Sequence, residues 1–286
     1  MIRKSMALLA TAAAAALASP ANAESGWHLL NMTQGVTAIS REIYHLHMLI
    51  FWVCVWIGVA VFGVMIWSIV KFRKSQGAVP DTTMVHNTKV EIVWTAVPVL
   101  ILIVMAVPAA KTLVQLEDTR NTELTIKVTG FQWGWQYEYL DTGVRFFSRL
   151  DRVSDAARHM GSGVDPTTIE HYLLNVDKPL IVPSGTKVRL LLTGADVIHA
   201  WWVPAFGMKK DAIPGYVNEM WFNVDADKTG VYRGQCVELC GRDHGFMPIV
   251  VDVRTKEEFD KWLKSTADQQ KQAAASQPAA ATPAAG

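Results

Sequence analysis

Two long apolar runs constrain this chain more than any other feature of it. Met48 to Val70 carries no charged residue, and neither does Ile92 to Ala110. At ~1.5 Å per residue they reach roughly 35 Å and roughly 28 Å as helices, against a hydrocarbon core of about 30 Å. A helix packed on a soluble core is normally apolar on one side, whereas these runs are apolar all round. Pro98 and Pro108 interrupt the second run, and membrane helices tolerate proline. Trp67 and Trp94 sit near the run ends, where interfacial anchors belong. The expectation is a transmembrane helical hairpin over 46–111, with membrane lipid as its surroundings. Cys54, inside the first run, reads as a small buried hydrophobe.

The flanks predict an orientation. Arg3 and Lys4 precede the apolar, alanine-rich stretch Met6 to Ala18, and Ala21-Asn22-Ala23 has the small-x-small cleavage pattern. Residues 1–23 therefore read as a signal peptide, too short to span comfortably, and 24–45 as an outer segment. The loop at about 71–90 carries Lys71, Arg73, Lys74 and Lys89 against Asp81, which puts it on the cytoplasmic side. The chain then returns outside at Lys111. The formal net charge of +1 makes no case for nucleic acid.

From 112 to 254 the pattern changes to short β-rich runs. They are Leu124–Thr129, Gln132–Tyr139, Leu180–Val182, Val188–Thr193, Glu219–Val224 and Ile249–Val253, with turn signals such as Pro183-Ser184-Gly185 between them. Strands at this spacing predict an all-β sandwich. Asp141 to Asp177 reads as a long loop or insertion. In 255–286 a short helix over Glu257 to Lys264 is expected, with a disordered Ala/Pro-rich tail beyond Ala267.

The loop Cys236-Val-Glu-Leu-Cys-Gly-Arg-Asp-His-Gly-Phe-Met247 holds the chemistry. It gathers two thiols, an imidazole and a thioether, and His199 is available upstream. Three readings are open. Cys236 and Cys240 could form a disulfide, which an exported domain permits. The loop could hold zinc, although zinc ligand sets leave no place for Met247. Soft sulfur with imidazole suits copper, and a second thiolate beyond the set for one blue-copper ion could bridge two ions. No Cys-x-x-Cys-His haem attachment occurs.

These residues resemble subunit II of a bacterial haem–copper cytochrome c oxidase of the aa3 type. The resemblance rests on Val90-Glu-Ile-Val-Trp-Thr95, Gln132-Trp-Gly-Trp-Gln-Tyr-Glu-Tyr139, Asp196-Val-Ile-His199, Asp211-Ala-Ile-Pro-Gly215 and the Cys236–Pro248 loop. It departs at Gly134, where the family usually has tyrosine. It implies a cupredoxin-like fold for the outer domain and a dinuclear copper A centre held by His199, Cys236, Cys240, His244, Met247 and the backbone carbonyl of Glu238. The Glu238 side chain would reach a magnesium or manganese ion shared with subunit I.

The resemblance also implies a bacterial inner membrane location, with the copper domain on the periplasmic side. Cytochrome c would dock at Glu138 and Asp196 and deliver its electron at Trp133. Haem in subunit I would receive it, for oxygen reduction to water coupled to proton pumping, with subunit III as a further partner. Glu91 reads either as an ordinary interfacial carboxylate at a helix N-terminus or as the mouth of a proton channel. The outer domain is mildly acidic, which suits a basic partner, but Arg145, Arg149, Arg152 and Arg158 cut against a uniformly acidic face. A membrane-tethered copper electron carrier outside any oxidase is the alternative.

Overall fold

The computed structural model describes residues 30–79, 82–83 and 86–276. The expected signal peptide and most of the expected tail lie outside these residues.

Helix α1 (Ala38–Lys71) starts at a capping box. Thr37 accepts the Ser40 amide proton while the Ser40 hydroxyl accepts that of Thr37. Its 34 residues make it about 51 Å long, well beyond a bilayer core. The surplus lies at its start, where Ile39 and Ser40 are buried. The Val36 amide donates to Ala205 (2.8 Å) and the Thr37 hydroxyl to the Phe206 carbonyl (3.1 Å). Arg41 forks onto Asp225 at 2.6 and 3.2 Å. Helix α2 (Thr88–Leu116) is capped by Asn87 and runs straight through both prolines. Just past its end Glu117 pairs with Lys210 at 2.9 Å. Among the described residues these two helices are long and apolar enough to cross a membrane. Cys54 is exposed on α1 rather than buried in protein.

The sandwich has two five-stranded sheets and the cupredoxin-like arrangement expected. The first runs β3 (Val144–Ser148), β2 (Gly134–Tyr139), β1 (Leu124–Phe131), β5 (Val188–Gly194), β8 (Asn218–Phe222). The second runs β4 (Leu180–Pro183), β10 (Pro248–Arg254), β9 (Gly230–Cys236), β6 (His199–Trp202), β7 (Lys209–Ala212). β1 alternates strictly between buried and half-buried residues, so Ile126 and Val128 enter the core. β1 pairs parallel to β5, and β10 parallel to β4.

Three expectations need correction. Gln132 and Trp133 form the turn between β1 and β2 instead of opening a strand. The 141–177 stretch is not irregular throughout: it contains β3 and a short helix α3 (Arg152–Ala157). The strand forms because Val144 and Ser148 point inward while β2 supplies a hydrogen-bonding edge. The last helix, α4, runs from Lys256 to Ala275. The Ala and Gln that suggested disorder are good helix formers, and Gln270 bonds both backbone groups of Arg145, fixing this end to β3.

Candidate metal centre

The donors come from two loops at one end of the sandwich. β5 delivers the turn Ala195–Ile198, and His199 is the first residue of β6. β9 ends at Cys236, the next residues swing out, and a short turn over His244–Phe246 precedes β10. The stems are locked together. Trp201 pairs with Cys236 across β6 and β9, and the Val237 amide donates to Ala200 at 3.1 Å. Beneath them Trp135, fully buried, donates its ring N–H to the Met247 carbonyl at 3.3 Å and lies edge-on to His199. Gly130 makes room: a Cβ there would come within 2.8 Å of the His199 ring.

One ring nitrogen of His199 and the sulfurs of Cys236 and Cys240 lie within 4.8 Å of one another. All three residues are buried, and this is the only such donor cluster among the described residues. The two sulfurs are 3.9 Å apart, too far for a disulfide near 2.05 Å, and both cysteines are free. Cys240 Sγ is 3.5 Å from His244 Nδ1 and 3.4 Å from Met247 Sδ. The Glu238 carbonyl is 3.4 Å from Cys236 Sγ, while its side chain is exposed. His199 Nε2 lies 3.0 Å from Asp196, whereas its Nδ1 is buried without a hydrogen-bond partner. A buried imidazole nitrogen without a hydrogen-bond partner is costly in a protein interior. A metal on the sulfur side would satisfy it, and the thioether among the donors fits copper rather than zinc.

The two thiols differ. Burial opposes ionisation of Cys236, but the facing His199 ring and nearby backbone groups favour the thiolate by more, and its pKa falls. Burial pushes the Cys240 thiol up to about 12, helped by the neighbouring charge on Cys236. Without metal, ionisation of both thiols together is therefore disfavoured, and binding of a cation by both sulfurs must release a proton.

Asp196 does more than the sequence suggested. Besides facing His199, it accepts the backbone N–H groups of Val197 and Gln132, both at 2.7 Å. Burial opposes its charge, yet the bonds from His199, Val197 and Gln132 prevail and hold its carboxyl below the usual range. Gln132 in turn donates its side-chain amide to the Cys240 carbonyl at 2.9 Å, so one residue ties the histidine loop to the cysteine loop. Neither role was readable from spacing, because each depends on two distant loops meeting.

Trp133 is half-buried and donates its ring N–H to the same Cys240 carbonyl at 3.2 Å, beneath the guanidinium of Arg242. Gly134 does not leave this ring bare. A Cβ at Gly134 would strike the Phe131 ring at 2.7 Å and the Ser148 carbonyl at 2.9 Å, so a larger residue has no space here. Glu138 sits on β2 across from Lys127 and Arg145 on the neighbouring strands. Glu91 is apart from all of this, near the start of α2. It accepts the Asn87 amide at 3.3 Å and lies 3.9 Å from His86.

The model of the cytochrome c oxidase subunit II periplasmic domain matches residues 124–254, and that of the family's transmembrane domain matches 25–112. The probable cytochrome c oxidase subunit 2 of Rickettsia prowazekii is 40% identical over 225 residues, covering 79% of this chain and 68% of the relative. This chain belongs to the cytochrome c oxidase subunit II family. The Cereibacter sphaeroides cytochrome c oxidase subunit 2 is 36% identical over 208 residues, 70% of this chain and 68% of that one. A solved structure of the periplasmic domain of subunit II of cytochrome oxidase from Bradyrhizobium japonicum is 42% identical. It covers 53% of this chain and 98% of that one, with a TM-score of 0.44. The subunit II family's periplasmic domain implies a copper A centre, and the His199, Cys236 and Cys240 cluster lies inside the matched segment.

Proposed function

We propose that this chain is the electron-entry subunit of a cytochrome c oxidase. Cytochrome c docks on the periplasmic domain, and its electron passes through the ligand loops towards haem in subunit I, where oxygen is reduced to water and protons are pumped. The observation that carries this is the buried, unpartnered Nδ1 of His199 beside two free thiols within family-matched sequence. The ligand set is His199, Cys236, Cys240, His244, Met247 and the Glu238 carbonyl. Copper held there would supply one-electron chemistry, with Cys236 and Cys240 as its thiolate ligands.

The rest of the work falls to the chain itself. Asp196 holds the His199 ring so that Nδ1 faces the sulfurs. Trp135 and the burial of both cysteines exclude water, and a rigid, dry site keeps reorganisation small when an electron arrives. Trp133 is the entry ring: it is half-exposed and bonded to the carbonyl of Cys240. Glu138 and Asp196 contribute docking charge. The internal bonds of Asp196 keep it ionised, and Glu138 sits across from Lys127 and Arg145. Docking should weaken as salt rises.

The exposed Glu238 carboxylate is available to a magnesium or manganese ion shared with subunit I, and subunit III is a further partner. The placement is a bacterial inner membrane. Glu91 stands at the cytoplasmic end of α2 as the mouth of a proton channel, a reading its helix-capping bond to Asn87 weakens.

The test is a copper count with electron paramagnetic resonance on the purified full chain. Two coppers with an electron shared by both are expected. One copper with a single-ion pattern overturns the centre. With the centre intact, Trp133→Gln should slow its reduction by cytochrome c about tenfold, ~1.4 kcal/mol of barrier, without copper loss. An unchanged rate places electron entry elsewhere.

A further inference from the structure

The insertion between β2 and β4 has no part in the reading above, yet it reaches the ligand loop from outside. Its short helix ends at Arg158, whose side chain is only 19% exposed. Arg158 Nε bonds Asp155 at 2.7 Å, and Nη1 lies 3.5 Å from Asp243. Its guanidinium carbon sits 4.4 Å from the centre of the Phe246 ring. Asp243 and Phe246 flank His244, and Phe246 is joined to Met247. Both contacts are therefore made to neighbours of metal donors and none to a donor itself.

The turn they grip has little support of its own. Two backbone bonds hold it, His244 to Gly241 at 3.2 Å and Phe246 to Asp243 at 2.9 Å. Asp243 starts the turn but does not cap it. Its carboxylate, 13% exposed, instead meets Arg158 and the exposed Arg242. The other end of the grip is firm. Asp151 caps α3, the buried Ser154 hydroxyl accepts the Leu173 amide, and the Asp151 amide donates to Asn175. The Asn175 side chain accepts two bonds from Arg233 on β9, three residues before Cys236. The insertion thus holds the strand entering the ligand loop and the turn leaving it.

We propose that Arg158 is a positioning residue for the metal centre: from outside the loop it fixes the turn that presents His244 and Met247. This rests on the copper reading of that loop. Arginine suits the task because a planar, permanently charged group can lie over a ring and fork towards two carboxylates at once. A lysine ammonium keeps the charge but cannot do both. Arg158 is thereby separated from a docking role, since its charge is spent inside the fold.

Arg158→Gln, Arg158→Lys and, as a surface comparison, Arg152→Ala in the purified full chain test this. In the metal-free chain, hydrogen exchange at the Phe246 amide should speed up in Arg158→Gln while β10 amides such as Val250 stay protected. In the copper-loaded chain, loss of copper to a chelator should accelerate on the order of tenfold, with a changed copper hyperfine pattern. Arg158→Lys should fall between, and Arg152→Ala should match the parent. A parent-like Phe246 exchange rate and hyperfine pattern in Arg158→Gln overturn the proposal, as does equal loss of protection at Phe246 and Val250. If the parent chain itself takes up no copper, the copper reading fails instead, and the metal-free exchange result still decides whether Arg158 fixes the turn.

Discussion

The two ends of the sandwich use the same strands to opposite purposes. β2 passes from one to the other. Trp135 lies under the metal donors, and Tyr139, four residues and ~13 Å further along, lies under α4. At the α4 end the demands of Tyr139 are met locally. Tyr139 packs against the rings of Phe146, Phe259 and Trp262, and its hydroxyl both donates to the Ile181 carbonyl and accepts the Ile181 amide, at 2.6 and 3.1 Å. At the metal end a buried nitrogen is left without a partner and four donors crowd together without bonding well. Tyr139 is satisfied by protein alone, whereas His199 is not. The stability of the α4 end should be insensitive to metal and that of the metal end should depend on it.

Substitutions at the two ends can break that division. Cys240→Ser should abolish the proposed copper site, because a hydroxyl does not replace a thiolate ligand, while leaving the metal-free melting curve close to the parent's. A metal-free chain that no longer folds would mean the donor end also carries the fold. Next in size, Phe259→Ala should cost about 3 kcal/mol or more in denaturant unfolding, with the copper spectrum unchanged. A shifted spectrum would show that the ends are coupled along β2.

Tyr139→Phe should cost about 1–3 kcal/mol, since it strands two buried backbone groups of Ile181. Copper affinity measured by competition should not move. The smallest effect is expected for Asp196→Asn. It keeps a partner for His199 but loses the charge, so copper affinity should fall about tenfold (~1.4 kcal/mol) with little change in unfolding. Loss of folding instead would place Asp196 among the residues that join the loops structurally.

What was legible in the sequence follows the same line. The hairpin is visible because the absence of charge over a bilayer's thickness is a local property. The ligand loop is visible because four donors of unusual type fall within twelve residues. Asp196 as the acceptor of the Gln132 amide, Gln132 as the tie between loops and Arg158 as a grip on the turn are not visible, since each acts across the fold. β3 hid for a related reason. Its run Val144-Arg-Phe-Phe-Ser148 alternates imperfectly, with Phe147 exposed and Ser148 buried, and only the edge of β2 makes it a strand. α4 was cut short because Ala and Gln were weighed as signs of disorder rather than as helix formers held by Gln270.

The seat of α1 against the turn Pro204–Phe206 sets an order of events during synthesis. The bond from Thr37 to Phe206 joins residues 169 positions apart. At about 5–20 residues per second, the ribosome delivers the second partner on the order of 10–30 seconds after the first. Through that interval the capping box satisfies the helix start by itself, but Ile39 has no core to enter. The anchor is thus made long before its socket, and the seating of α1 on this turn is a late step of assembly.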